Sequence, residues 1–311
     1  MLDTIKKGKT QSLNKSRNLV GIVYAIPIIL GFLLFHLVPM ASSFYLSLTD
    51  SRTAAQTYNF IGLGNYIHAL TGQSLHFGDS VSATIQYVLF TVPGTLIFTF
   101  LIALLLNTRI KFLSFYRTVF FIPNIVPIVA VSVIWMWIYH PSLGILNNFL
   151  GFLGVRGPFW LADRSWVIPS LAFMAIWTGG NLMVIFLAGL QDCPRHLYEA
   201  IAVDGGNTFH RFRYITLPFM TPVIFFNLIM QTIATFQVFA QILMMTGGGP
   251  NNASLVLNFY IYREAFVHHN MGYASALSWV LFVAIFTLTI LYFATAKYWV
   301  YYSESESGGK R

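Results

Sequence analysis

Long apolar runs separated by short polar segments dominate this chain. They recur at about 19–40, 81–106, 118–139, 166–190, 219–244 and 274–298. Each meets the ~20 residues that an α-helix needs to cross ~30 Å of hydrocarbon. No Asp, Glu, Lys or Arg falls inside the core of any run. Backbone polar groups in lipid must be satisfied within the segment, which leaves helices for runs of this kind. The pattern therefore predicts an all-α, polytopic membrane protein with six transmembrane helices. Pro27 and Pro39 are expected to kink or end the first of them.

The polar segments set the orientation. With the N-terminus in the cytoplasm, fourteen of the 18 Lys and Arg residues fall inside: Lys6, Lys7, Lys9, Lys15, Arg17, Arg109, Lys111, Arg117, Arg195, Arg211, Arg213, Lys297, Lys310 and Arg311. Only Arg52, Arg156, Arg164 and Arg263 fall outside. The positive-inside bias thus predicts N-in/C-in. The basic start precedes a run too long for a signal-peptide core, and no Ala-x-Ala site follows, so the first run is read as a retained span. The division is a basic cytoplasmic segment at 1–18, a transmembrane domain at 19–300 and a disordered cytoplasmic tail at 301–311.

Composition agrees. Of 311 residues, 56% are hydrophobic and 9% charged, against about a quarter charged in soluble domains. The net charge of +8 could suggest nucleic acid. Charges placed on cytoplasmic loops account for it instead, and no nucleic-acid partner is expected. Cys193 is the single cysteine, so no intramolecular disulfide is possible. No phosphate-binding Gly-x-x-x-x-Gly-Lys-Ser/Thr, Cys-x-x-Cys or His-Glu-x-x-His occurs, and His36, His68, His76, His140, His196, His210, His268 and His269 are scattered. No catalytic or metal site is expected, and no cofactor on this chain. A membrane-embedded enzyme would require one.

The segment Leu197–Pro218 is a polar, basic island between two apolar runs. Leu197, Ala200 and Ile201 recur at helical spacing and share a face, with Glu199 and His196 elsewhere. Gly205 and Gly206 then break the helix, Asn207 is placed to cap a second one, and Pro218 opens the next run. Phe209 and Phe212 share a side of the second helix, away from His210, Arg211 and Arg213. Such a pair cannot bury its own apolar face. It either lies on the lipid surface or docks in a partner's groove.

The spacing resembles the cytoplasmic loop of membrane subunits of bacterial ATP-binding-cassette (ABC) importers: Glu-Ala-Ala, three residues, Gly, nine residues, Ile, one residue, Leu-Pro. Glu199, Ala200, Gly205, Ile215, Leu217 and Pro218 fall in register, and Asp204 matches the common form. The departures are Ile201 for the second Ala and Gly206 for the Ala that often follows the Gly. Gly-Leu-x-Asn-Tyr within 59–66 and Thr-x-Gly-Gly-Pro within 246–250 resemble the sugar-type branch, and the second segment the subunit type paired with a different second permease. The resemblance spreads over nearly the whole chain. It implies a permease subunit of an importer of the maltose/oligosaccharide type in the bacterial inner membrane. Leu197, Glu199, Ala200, Asp204, Gly205, Phe212, Ile215, Leu217 and Pro218 would then form the ATPase-coupling loop. The implied partners are a second, non-identical permease subunit, two ATP-binding-cassette ATPase subunits that hold the ATP and Mg, an external solute-binding protein and the lipid membrane.

The fifth run carries a polar face. At 100° per residue, Asn227, Gln231, Gln237 and Gln241 fall within about 120°, with Thr235 beside them, opposite Phe225, Ile229, Ile233, Phe236 and Phe239. These amides either bind helices together at about 0.6 kcal/mol each or line a wet path for an uncharged polyol. Asn124 and Asn181, with Trp135, Trp137 and Trp177, could complete such a cavity. A carbohydrate, expected to be an oligosaccharide, suits neutral amides. A glycerol phosphate would need a nearby cation. A self-sufficient secondary transporter would need ionisable groups inside the membrane and would leave the loop unexplained.

Overall fold

The computed structural model describes residues 22, 24–52, 58–72, 74, 76–108 and 111–301. The basic segment 1–18, Arg109 and the tail beyond Tyr301 lie outside the described residues. Among the described residues the regular structure is helical, apart from one isolated antiparallel bridge between Thr49 and Phe60.

In chain order the helices are α1 (Tyr24–Ser47), α2 (Gly64–Leu70), α3 (Phe77–Leu106), α4 (Leu113–Ile125), α5 (Ile128–Ile138), α6 (Ile145–Phe152), α7 (Val167–Trp177) and α8 (Gly180–Asp192). They continue as α9 (Arg195–Val203), α10 (Thr208–Phe236), α11 (Ala240–Met245), α12 (Leu257–Tyr262) and α13 (Met271–Ala296). Four of them, α1, α3, α10 and α13, are single helices long and apolar enough to cross a membrane. The runs expected at 118–139 and 166–190 are bent pairs instead: α4 and α5 meet at 101°, α7 and α8 at 49°. Each pair makes one span only if the bend lies within the membrane.

The bundle is built around α3, which packs against α7, α8, α10 and α12. One face of α3 explains this. Ser80, Thr84, Tyr87, Thr91, Thr95 and Thr99 are all buried, at spacings that keep them on one side of a helix. Small hydroxyl side chains let neighbouring backbones come close. Gly179 exploits that approach, since a Cβ there would lie 2.8 Å from the methyls of Thr95 and Thr99. α1 packs through its second half against α13, and its last residue, Ser47, meets Asn65 and Tyr66 of α2.

Local chemistry accounts for most of the irregularities. Two π-turns, Leu33–Leu37 in α1 and Phe212–Thr216 in α10, each stand just before a proline, Pro39 and Pro218. Widening the turn re-routes the ladder where proline supplies no N–H. Val126 lies before Pro127 and is extended, at φ −68° and ψ 132°, as a residue preceding proline favours; α4 stops there. Between α7 and α8, a Cβ on Gly180 would sit 2.6 Å from the Phe120 carbonyl. That junction is thus pressed against α4.

The run expected at 219–244 is also broken. α10 ends at Phe236 and α11 starts at Ala240, with neither proline nor glycine between them. The far end of the bundle holds α2, α12 and the Thr246–Ser254 turn. There α12 continues into a π-turn, Arg263–Val267. Glu264 is only 6% exposed. It accepts from Asn270 at 3.1 Å and pairs with His268 Nδ1 at 2.9 Å.

Candidate functional site

Two features carry the chemistry, one at the end of the bundle and one inside it. At the end, α9 and the start of α10 form the expected pair of helices. Gly205 sits between them at φ +77°, a left-handed conformation that residues with a Cβ adopt at a cost. Asn207 caps α10, its Oδ1 accepting from the His210 amide at 3.0 Å, while the Asn207 amide donates to His210 Nδ1 at 3.4 Å.

The pair is anchored on one side and bare on the other. Phe212 is half-buried and packs on Phe100 of α3 at 6.4 Å between centroids. Ile215 is buried, and Leu217 and Pro218 are half-buried. Tyr198 joins α9 to the π-turn through Thr216, hydroxyl to hydroxyl at 3.0 Å; burial pushes its phenol pKa up. Leu197, Glu199, Ala200, Asp204 and Gly205 are exposed. So are Val203, at 88%, and Phe209. Large apolar side chains this bare on a short helix pair mark a contact surface.

Inside the bundle is a cavity of about 500 Å³. Gln231, Thr235, Gln237 and Gln241 line it, together with Asn124 and Asn181. Three helix breaks converge on it. Thr178 and Gly179 line it from the α7–α8 bend, Gln237, Val238 and Phe239 from the α10–α11 break, and Asn124 from the end of α4. Non-helical backbone at membrane depth persists where it is buried in protein or lines a polar cavity. The Gln237 carbonyl freed by its break accepts from Asn258 Nδ2 at 2.8 Å. The described lining holds no Asp, Glu, Lys, Arg or His.

The remaining expected residues lie elsewhere. Asn227 is 1% exposed, does not line the cavity, and neither its Oδ1 nor its Nδ2 has a described partner. The tryptophans do not complete the cavity. Trp135 is buried against Tyr139, Phe173 and Trp177, and Trp137 is 78% exposed. Residues that sequence reasoning missed take their place: Tyr87, Thr91 and Thr95 of α3. Gln241 Nε2 donates to the Tyr87 hydroxyl at 2.9 Å, while the buried hydroxyls of Thr91 and Thr95 have no described partner. Their signal was present, as hydroxyl residues recurring along one face of an otherwise apolar run.

A neutral polar chamber at helix breaks, within a bundle of membrane-length helices bearing an exposed terminal loop, defines a membrane transport subunit. The chain belongs to the family described as binding-protein-dependent transport system inner membrane component, which matches residues 107–299. It is an inner-membrane, multi-pass component of an ABC transporter. It is 40% identical over 304 residues to the probable ABC transporter permease protein YesP of Bacillus subtilis (strain 168), covering 96% of each chain. It is 31% identical to the trehalose/maltose transport system permease protein MalF of Thermococcus litoralis, covering 93% of this chain and 97% of that one. It is 33% identical to the sulfoquinovosyl glycerol transport system permease protein SmoG of Agrobacterium fabrum, covering 91% and 92%. Its fold matches a chain of a bacterial alginate ABC transporter, crystallised with an alginate pentasaccharide-bound periplasmic protein. The TM-score is 0.80 at 22% identity, over 91% of this chain and 96% of that one.

Proposed function

We propose that this chain is a permease subunit of an ATP-driven importer for an uncharged carbohydrate of oligosaccharide type in a bacterial inner membrane. The cavity carries this reading. Amides and hydroxyls from α3, α4, α8, α10 and α11 face one chamber with no Asp, Glu, Lys, Arg or His in its described lining. A polyol can exchange its water hydrogen bonds for these, whereas a phosphate or carboxylate would enter without a counter-charge. Relatives named for trehalose/maltose, lactose and arabinooligosaccharide transport support the class. The anionic alternative has its own support in the relative named for sulfoquinovosyl glycerol.

In this reading the two bent pairs are single spans, giving six, with both termini in the cytoplasm. The transmembrane domain occupies 19–300 between a basic N-terminal segment and a cytoplasmic tail. The substrate path runs along Gln231, Thr235, Gln237 and Gln241 and reaches Asn227 in another conformation. Leu197, Glu199, Ala200, Asp204 and Gly205 meet an ATPase subunit, while Phe212, Ile215, Leu217 and Pro218 carry its movement into α10. A second, non-identical permease, two ATPase subunits holding ATP and Mg, and an external solute-binding protein complete the transporter. The chain itself catalyses nothing and binds no cofactor.

The test is uptake into vesicles holding the assembled transporter, with neutral maltooligosaccharides set against uronic-acid oligomers of equal length. Gln231→Ala and Thr95→Val should reduce neutral uptake while the complex still assembles. Uptake of the acidic series alone, unaffected by these variants, overturns the reading.

A further inference from the structure

A second cavity, of about 580 Å³, lies at the loop end of the bundle, where α3, α4, α8 and α9 meet. Its chemistry is unlike that of the neutral chamber. Arg117 of α4 and Arg195 at the start of α9 both line it, and among the described residues no Asp or Glu does. Neither guanidinium makes an ion pair among the described residues. The Nε of Arg117 is buried and finds no acceptor. An unsatisfied buried N–H is unusual, and more costly on a charged group than on a neutral one.

The backbone adds to this positive field. α9 is nine residues long and begins at the cavity behind Pro194, so the positive end of its dipole points there. α3 also ends here, but the carbonyls of Ala103, Leu104 and Leu105 are occupied. The Asn107 amide donates to Ala103 at 2.9 Å and the Thr108 hydroxyl to Leu105 at 2.7 Å. Leu106, Leu113 and Leu190 give the cavity an apolar wall as well.

We infer that this cavity is an anion site for a phosphate group, held between Arg117 and Arg195 beside the first turn of α9. Guanidinium forks suit phosphate oxygens, which accept several charge-assisted hydrogen bonds at once. The leucine wall would accommodate the glycerol and upper chain of an anionic phospholipid. A soluble phosphate compound would use the arginines alone. Either would brace α9 against α4 and α8, at the base of the exposed helix pair.

The experiment uses the assembled transporter in detergent, as wild type, Arg117→Gln, Arg195→Gln and Arg117→Lys. Thermal midpoints are followed against inorganic phosphate, with chloride at matched ionic strength, and against phosphatidylglycerol, with phosphatidylcholine as control. Native mass spectrometry counts retained lipid. We expect saturable stabilisation of the wild type, with apparent affinity about tenfold weaker in each Gln variant, the worth of one hydrogen bond to a charged group. Arg117→Lys should fall between them. A response to phosphatidylglycerol only identifies a lipid headgroup, and a response to phosphate identifies a soluble ligand; both support the site. No stabilisation of the wild type by either, or equal stabilisation of wild type and variants, overturns it. If Arg117→Gln fails to assemble, Arg195→Gln decides alone, since its side chain is exposed and outside the packed core.

Discussion

Ile201 and Gly206 are the two places where the elbow departs from the spacing it otherwise resembles, and they are in contact. A Cβ on Gly206 would lie 2.4 Å from Ile201 Cγ2 and 2.9 Å from the Ile201 carbonyl oxygen. Carbon atoms pack best at about 3.5–4.0 Å, so Gly206→Ala forces the isoleucine or the elbow to move. Overpacking of this kind costs about 1–3 kcal/mol. Ile201 is half-buried, so Ile201→Ala should cost about 1–2 kcal/mol, below the range for a fully buried isoleucine. In the double variant the side-chain clash is gone, and only the carbonyl contact must relax. The double should then cost about 1–3 kcal/mol less than the sum of the singles, the coupling expected of residues in contact.

Hydrogen exchange of the elbow amides reads this locally. Gly206 donates to Ile201 at 2.8 Å and Asp204 to Ala200 at 3.1 Å, and local opening frees both. A tenfold loss of protection corresponds to about 1.4 kcal/mol. Gly206→Ala should lose about tenfold or more, and the double variant should recover most of that. Protection losses that simply multiply would refute the reasoning, because they would mean that the glycine answers to the backbone and not to Ile201.

Other outcomes follow from the same geometry. Gly205→Val has room for its side chain but must hold a β-branched residue at positive φ, at about 1–2 kcal/mol. It should weaken co-purification of the ATPase subunits without unfolding the bundle. Glu199→Lys should lower that co-purification more than Glu199→Gln; tighter membrane attachment with full ATP turnover would favour the lipid-surface reading. In a Cys193→Ser background, cysteines at Asn148 and Asn252 should react with impermeant thiol reagents from outside cells, and cysteines at Asn107 and Asn207 should not. Outside labelling at 207 would reverse the orientation. The Asn59 amide and side chain, with Arg52 as a minor contributor, hold the Asp50 carboxyl below its ordinary 3.8. Its contribution to holding residues 49–52 against 58–61 is therefore complete above that value and lost as pH falls through the lower folded value. Asp50→Asn should remove that acid sensitivity, read from exchange of the Asn59 amide.

The sequence made the apolar runs, the elbow and its cap legible because each depends on local spacing. Gly205 and Asn207 act within a few residues of themselves, although the Phe212 anchor reaches Phe100 of α3. Breaks are harder, since hydropathy averages over them. Pro123 and Pro127 announce the α4–α5 bend, yet a window over 118–139 remains apolar throughout. The α7–α8 bend depends on Gly179 meeting Thr95 and Thr99, a contact between residues about eighty positions apart. The α10–α11 break has no local breaker at all and relies on Asn258, twenty-one residues away, to satisfy the freed Gln237 carbonyl. The cavity inherits this partial legibility. Its amides stood out on one helix, while the facing hydroxyls of α3 looked like interchangeable small residues until packing turned them inward.

Asn227 gives the sharpest test of whether that amide face moves. In this conformation its whole amide is buried without a described partner, in an environment where an unsatisfied polar group costs about 1–3 kcal/mol. A residue serving only as packing would be better replaced by leucine, which has similar volume and no polar atoms. A fixed structure therefore predicts that Asn227→Leu raises the thermal midpoint and leaves uptake unchanged. A transport cycle that brings Asn227 onto the path predicts the same stabilisation with slower uptake, because leucine lowers the energy of this state and not of the one in which the amide meets water or substrate. The two differ in turnover alone, so midpoint and uptake must be measured on the same preparation. Stabilisation with full uptake would remove Asn227 from the path. A large destabilisation would show that the amide has a partner in the resting transporter, and the argument from an unsatisfied group would fall.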